Sequence, residues 1–173
     1  LYSQFARLIG EISTDDGGGI EDLGWGFIPI GSRAKLGPVS LLAEYRMNSR
    51  RFVFNYWDKA YDLNRVFFDG SGVKTRESQL YNYGKMAGLF VNASLDIINL
   101  FDISMGYQNM QGEKWHEGGY QEDESNQSIL TTMNLNATII PKVSKAEAFY
   151  QQSNVPDPFK FEPNSSTIWG YNV

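Results

Sequence analysis

Along most of this chain apolar and polar residues alternate one by one, and turn residues break the alternation into segments of about ten. The clearest segment is Val39 to Met47: Val39, Leu41, Ala43, Tyr45 and Met47 share one face, and Ser40, Leu42, Glu44 and Arg46 share the other. A period of two with one apolar face predicts a half-buried β-strand. Phe101, Ile103, Met105 and Tyr107 oppose Asp102, Ser104, Gly106 and Gln108 in the same way. Ala146, Ala148 and Tyr150 oppose Lys145, Glu147, Phe149 and Gln151, where Phe149 is the exception on an otherwise polar face. Between these lie two further alternating runs. Ala87 to Leu95 sets Leu89 and Val91 against Phe90 and Asn92, and Leu130 to Ile139 sets Met133 and Leu135 against Thr132, Asn134 and Asn136.

Ile28, Ile30, Ala34 and Leu36 are expected on one face opposite Gly31, Arg33 and Lys35, although Pro29 removes a ladder donor from that run. Leu1 to Ile12 adds a less regular strand, and Ile168 to Val173 a last one. That makes about eight strands. No connection reads as a crossover helix, so neighbours are expected to be antiparallel; residues 58–66 offer at most one irregular turn. Short connections at Leu36-Gly37-Pro38, Asp96 to Leu100 and Pro141 to Ser144 alternate with long ones near residues 48–83, 111–127 and 153–167. The predicted fold is therefore all-β: an antiparallel up-and-down meander in one domain, residues 1–173, with short turns on one rim and long loops on the other. This is the plan of a transmembrane β-barrel, or of part of a larger one. At roughly 3.3 Å per residue and a tilt near 40°, about ten residues cross a 25 Å apolar band, which these strands match.

Aromatic residues sharpen the picture. Tyr45, Tyr107 and Tyr150 each lie on the apolar face, six residues beyond Val39, Phe101 and Ser144, so they are expected at one height. With Trp169 and Tyr171 they would form a girdle at the membrane–water interface. Ordinary β-propensity is the plainer explanation of the same residues.

Composition narrows the classes. The 173 residues carry a net charge of −5 and no cysteine, so thiolate metal sites and disulfides are excluded. No basic stripe suits nucleic acid, and Arg50-Arg51 reads as a solvated loop start. No apolar run reaches the roughly 18 residues of a membrane helix. The alternation at both ends of the chain reads as strands cut through, so a piece of a longer barrel is expected.

The segment Ala43-Glu44-Tyr45-Arg46-Met47, followed by Phe54-Asn55-Tyr56-Trp57-Asp58, resembles outer-membrane β-barrel proteins of diderm bacteria. That resemblance is architectural and extends over the whole chain. It implies an outer-membrane location, lipid as a partner, and a polar face turned to the lumen. The lumen-lining residues would be Arg33, Lys35, Glu44, Arg46, Asn92, Asp102, Ser104, Gln108, Asn134, Asn136, Lys145, Glu147 and Gln151. Mixed charge, amides and hydroxyls are what a hydrated or hydrogen-bonded interior requires. The leading expectation is a pore for small hydrophilic solutes. The alternatives are a plugged structural, adhesive or receptor-type barrel that binds an external ligand at its loops, and a soluble β-barrel or sandwich that binds a ligand. In the soluble case Leu41, Ala43, Leu89, Val91, Met133 and Leu135 would be buried.

Neither catalysis nor a cofactor is expected. His116 is the one histidine, in a polar stretch read as a solvated loop, and no nucleophile is spaced to use it. Glu117, Glu122, Asp123 and Glu124 lack calcium-loop spacing, and Asp15-Asp16-Gly17-Gly18-Gly19 lacks the Lys-Ser/Thr of a phosphate cradle. The connection from Asn48 to Tyr83 is long and aromatic. Its alternation Arg51-Phe52-Val53-Phe54-Asn55-Tyr56 predicts a strand-like hairpin above the membrane, and such a loop could also fold inward as a constriction.

Overall fold

The computed structural model describes residues 1–13, 19–58, 61–68, 70, 72–98, 100–116, 118–135, 146–163 and 167–172. The elements run β1 (Tyr2–Arg7), β2 (Glu11–Ser13), β3 (Ile20–Asp22), β4 (Trp25–Leu36), β5 (Val39–Asn48), α1 (Tyr61–Asn64), β6 (Val66–Phe68), β7 (Val73–Thr75), β8 (Tyr83–Ile97), β9 (Phe101–His116), β10 (Gly119–Leu135), β11 (Ala146–Val155) and β12 (Thr167–Asn172). Short 3-10 segments lie at Glu77–Asn82 and Pro158–Lys160. The expected antiparallel up-and-down sheet of eight strands is present, in the order β1-β4-β5-β8-β9-β10-β11-β12. It is open: among the described residues β1 and β12 do not pair, so the chain does not close into a barrel.

Local chemistry accounts for the register. Leu36 pairs with Val39 across Gly37-Pro38, and Gly37 takes the left-handed conformation (φ +61°) that so tight a return needs. Pro29 stays inside β4 because the register shifts past it on both sides, between Phe27 and Ile30 against β5 and between Gln4 and Tyr2 on β1. A bulge of this kind removes the need for the missing proline N–H and exchanges the faces beyond it. Ile28 is consequently buried while Ile30 is exposed, which corrects the single face expected for them.

Two expected loops differ. Residues 111–127 are largely strand, because β9 and β10 run on as one hairpin to Gly118. Outside an apolar band both faces of a strand can be wet, so a polar composition does not preclude a ladder. The predicted hairpin at 51–56 is absent: Arg51 (φ 60°) and Asn55 (φ 57°) turn the chain away from β5, and among the described residues the short pairs in that connection are those of β6 and β7. The expected turn at residues 141–144 lies outside the described residues, as do Asn136 and Lys145.

A small apolar core sits at the long-connection end, where Ile12, Leu23, Tyr56, Leu80 and Tyr81 pack with Leu8, Tyr61 and Trp115. Trp115 meets Tyr81 and Tyr120 edge-on, at ring-centre distances of 6.1 and 5.0 Å. This cluster ties the tip of the β9–β10 hairpin to the 3-10 segment.

Candidate functional site

The two faces of the sheet have opposite chemistry. Leu41 (42%), Leu89 (57%), Val91 (42%) and Met133 (43%) are exposed on one face, whereas Glu44 (6%) and Arg46 (5%) are buried on the other. An unpaired charge in that position would be very costly, so the enclosed pair must be neutralised and hydrogen-bonded. It is. Arg46 Nη2 lies 2.6 Å from Glu44 Oε2, Nε donates to the same oxygen at 2.7 Å, and Nη1 donates to Gln108 Oε1 at 3.0 Å. The Tyr2 hydroxyl donates to the other Glu44 oxygen, bringing β1 to β5 across β4. The guanidinium carbon of Arg46 stands 3.6 Å from the Phe90 ring centre and 5.0 Å from that of Phe54, so aromatic faces cover the cation.

Phe54 belongs to the β5–β8 connection, which folds over the polar face. Asn48 starts that course: its amide donates to the carbonyls of Ser49, Phe52 and Gly84 at 2.9, 3.3 and 3.0 Å. Phe52 is buried beside Gly26, where a Cβ would collide with its ring. Further along, Asp58 receives Arg76 through two hydrogen bonds of 2.9 and 3.0 Å, and the Gln151 amide of β11 donates to Asp58 Oδ2 at 3.0 Å. Burial lowers the pKa of Arg76, but hydrogen bonding and attraction to Asp58 outweigh it, and the net shift is upward. The connection thus reaches from β5 to β11. Beneath it lies a cavity of about 540 Å³, lined by Phe54, Asp58, Arg76, Gln79, Phe90, Asn92, Gln108, Trp115 and Gln151 among others.

The other predicted lumen residues divide by height. Asn92 and Ser104 bond across β8 and β9 at 3.4 Å, and Asn134 and Glu147 face one another as a half-buried pair across β10 and β11. Arg33, Lys35 and Asp102 are exposed near the short-turn rim. Phe149, the sequence exception, lies over Gly170 of β12, where a Cβ would stand 2.8 Å from its ring. Tyr2 covers Gly31 in the same way, at 2.5 Å. An aromatic ring laid on a facing glycine fills the space a side chain would take, so a polar face accommodates it.

On the opposite face, Tyr45 shares a row with Leu89 and Asn109, Tyr107 with Ile129 and Gln152, and Tyr150 with Trp169. The tyrosine row therefore steps by two residues per hairpin, always toward the short-turn rim. Two residues over two strand spacings correspond to a strand tilt of about 35° if the tyrosines are level. Trp169 and Tyr171 are largely exposed, and Tyr45 partly. Sequence reasoning missed a strap there. Asp157 caps Phe159 N–H at 3.0 Å, and Phe161 takes a left-handed turn (φ 53°). Phe159 and Phe161 thereby reach Tyr107 and Tyr150, at ring distances of 5.2 and 6.0 Å. Gln152, buried beneath, donates to Glu162 O at 2.6 Å.

His116 is exposed at the end of β9. Among the described residues no cluster of His, Cys, Asp and Glu could hold a metal ion, and no helix is long and apolar enough to cross a membrane. Compared with protein-family models, curated proteins and solved structures, the chain finds no match.

Proposed function

We propose that this sheet is wall from an outer-membrane β-barrel, with its apolar face toward lipid and its polar face toward water, and that it passes small hydrophilic solutes. One observation carries the reading: the alternating apolar residues are exposed while the Glu44–Arg46 pair is enclosed. Soluble proteins rarely leave so broad an apolar surface uncovered. The soluble alternative needs Leu41, Leu89, Val91 and Met133 inside, and their exposure counts against it.

A second reading has its own support. The β5–β8 connection lies across the polar face, with Phe54 against Arg46 and Asp58 against Gln151, as a plug or constriction would. This favours a narrowed barrel over a wide pore.

The test starts with facing. Single cysteines at Leu41, Leu89 and Met133, carrying polarity-sensitive probes, are expected to be quenched by acyl-chain labels, while probes at Leu42, Gly88 and Asn134 are not. Protection of the first set would end the membrane reading. Planar-bilayer conductance then separates the two barrels: steady open current supports passage, and its absence supports the plug. Shortening the 52–58 segment is expected to raise conductance if that segment is the constriction.

A further inference from the structure

We infer that a groove at the long-connection end of the apolar face holds a phosphorylated lipid, with an acyl chain against the sheet and the phosphate among four cations. The site rests on the proposed reading, in which this face meets lipid. One row of paired residues crosses five strands there: Phe5 with Phe27, Phe27 with Met47, Met47 with Ala87, and Ala87 with Gln111. Trp25 stacks with Phe5 at 6.1 Å between ring centres. Phe5, Trp25, Met47 and Ala87 form the apolar part of a groove of about 660 Å³. Phe5, Trp25 and Met47 are exposed, so the groove opens on the outer face of the sheet. An acyl chain suits that floor.

The cations lie at one end of it. Arg7 follows Phe5 on β1, Lys85 precedes Ala87 on β8, and Arg50 and Arg51 follow β5, so all four stand farther from the short turns than the apolar floor does. They are also beyond Tyr45, on the side where headgroups lie if the tyrosine row marks the interface. Asp22 is the one carboxylate among the described lining residues, and Arg7 lies 3.7 Å from it with both side chains more than half exposed. Glu113 and Glu21 pair with Arg50 and Arg51 from outside the lining. Even with those two counted, cations outnumber carboxylates here, although the whole chain carries −5. The pairing also positions the donors. Glu113 takes Nε and Nη2 of Arg50, whose guanidinium lies 4.2 Å from the Tyr120 ring centre, and Arg51 Nε donates to the Asp22 carbonyl at 2.8 Å. A guanidinium has five N–H donors, and these contacts leave some of Arg50's for a phosphate. Lys85 makes no ion pair with a described residue. Of the uncharged polar lining, Asn48 and Ser49 are committed to backbone groups, and the exposed Gln111 adds a neutral amide. A phosphate monoester accepts several cationic donors at once, whereas a choline headgroup would bring a cation of its own among them.

The experiment uses the whole chain in detergent micelles, titrated with dioleoyl phosphatidate, dioleoyl phosphatidylcholine and glycerol 3-phosphate, with bound molecules counted by native mass spectrometry. One phosphatidate is expected to bind roughly tenfold more tightly than either comparison. Equal binding of phosphatidylcholine would remove the cationic seat, and equal binding of glycerol 3-phosphate the acyl seat; either result overturns the site. Arg7→Gln and Lys85→Gln change exposed side chains and are each expected to weaken phosphatidate binding by about fivefold. Unchanged affinity in both would overturn the site as well. A second readout covers a variant that misfolds: phosphatidate brominated along its chains is expected to quench tryptophan fluorescence less in Trp25→Phe than in the parent chain. Equal quenching in the two would put the lipid elsewhere. Acyl-chain quenching at Leu41, Leu89 and Met133 is read in phosphatidylcholine alone and needs no phosphatidate. Quenching there without a phosphatidate preference would keep the wall and reject the site. A phosphatidate preference without that quenching would keep the site and reject the wall.

Discussion

Arg46 stays charged inside an enclosed face because four neighbours act on it together: Glu44, Gln108 and the rings of Phe90 and Phe54. A lysine would keep the charge but lose the two-nitrogen grip on Glu44 and the flat stacking on Phe90. Arg46→Met is expected to cost about 3–5 kcal/mol, since it leaves Glu44 buried with its charge uncompensated. The double variant Glu44→Leu/Arg46→Met should recover most of that loss, because a well-packed apolar pair often equals a buried ion pair. Denaturant unfolding from lipid vesicles, followed by tryptophan fluorescence, measures both. A single-variant cost of no more than about 1 kcal/mol would mean that the pair behaves as a solvated one. A second residue-scale test concerns Gly170. Gly170→Val places a side chain where the Phe149 ring lies and is expected to destabilise by roughly 1–3 kcal/mol, with Phe149→Leu relieving part of it.

At the scale of elements, the β9–β10 hairpin shows what the sequence could and could not disclose. Its lower half alternates apolar with polar residues from one face of the sheet to the other, and that period was readable. Its upper half, Gln111 to Gln127, has no such contrast, so only the cross-strand partners reveal it as strand. The same limit left the inward course of the β5–β8 connection as one of two readings: its apparent alternation at 51–56 arises from Phe52 and Tyr56 being buried and Phe54 half-buried between left-handed turns. Of the candidate site, Glu44, Arg46, Gln108 and Gln151 were legible by their face alone. Asn48, Asp58, Arg76 and Gln79 were not, since long-range folding of a loop brings them to the sheet.

The outer part of the β9–β10 hairpin carries a pH-dependent fastening. Arg50 Nε donates to Glu113 Oε2 at 2.8 Å and Nη2 to Oε1 at 3.2 Å; Lys85 N–H reaches Oε2 at 3.4 Å, and the Arg50 guanidinium lies over Tyr120. The hydrogen bond from Arg50 is the main cause holding Glu113 below the ordinary carboxylate range, while partial burial works against it. A depressed carboxylate stabilises the fold above its unfolded pKa, and that contribution is lost as the pH falls through its folded value. Amide protection at residues 112–116 and 118–122, corrected for the intrinsic slowing of exchange in acid, is therefore expected to fall as the pH drops below the ordinary carboxylate range, near 4. In Glu113→Gln the exchange should already be faster at neutral pH and should lose that acid step. An identical acid step in the variant would assign it to another group.

For the whole molecule, the decisive property is which solvent the exposed apolar face meets. In water, replacing an already exposed leucine with arginine changes stability by about 0.5 kcal/mol or less. In the middle of a bilayer the same change costs about 2–4 kcal/mol, and near the interface about 0–1 kcal/mol. Leu41 stands on that face four residues from Tyr45 toward the short-turn rim, and Tyr171 at the row of aromatic residues, so the two positions report depth as well as environment. Refolding into phosphatidylcholine vesicles is expected to fail or fall sharply for Leu41→Arg and to proceed nearly unchanged for Tyr171→Arg. The folded fraction, read by the shift between unheated and heated samples on a gel, measures each. If Leu41→Arg folds as well as the parent chain and is more soluble without lipid, the apolar face is covered by protein in the assembled molecule and the membrane wall is abandoned. A loss graded by depth would instead require lipid on that face, because only a bilayer makes the same charge costly at one height and cheap at another.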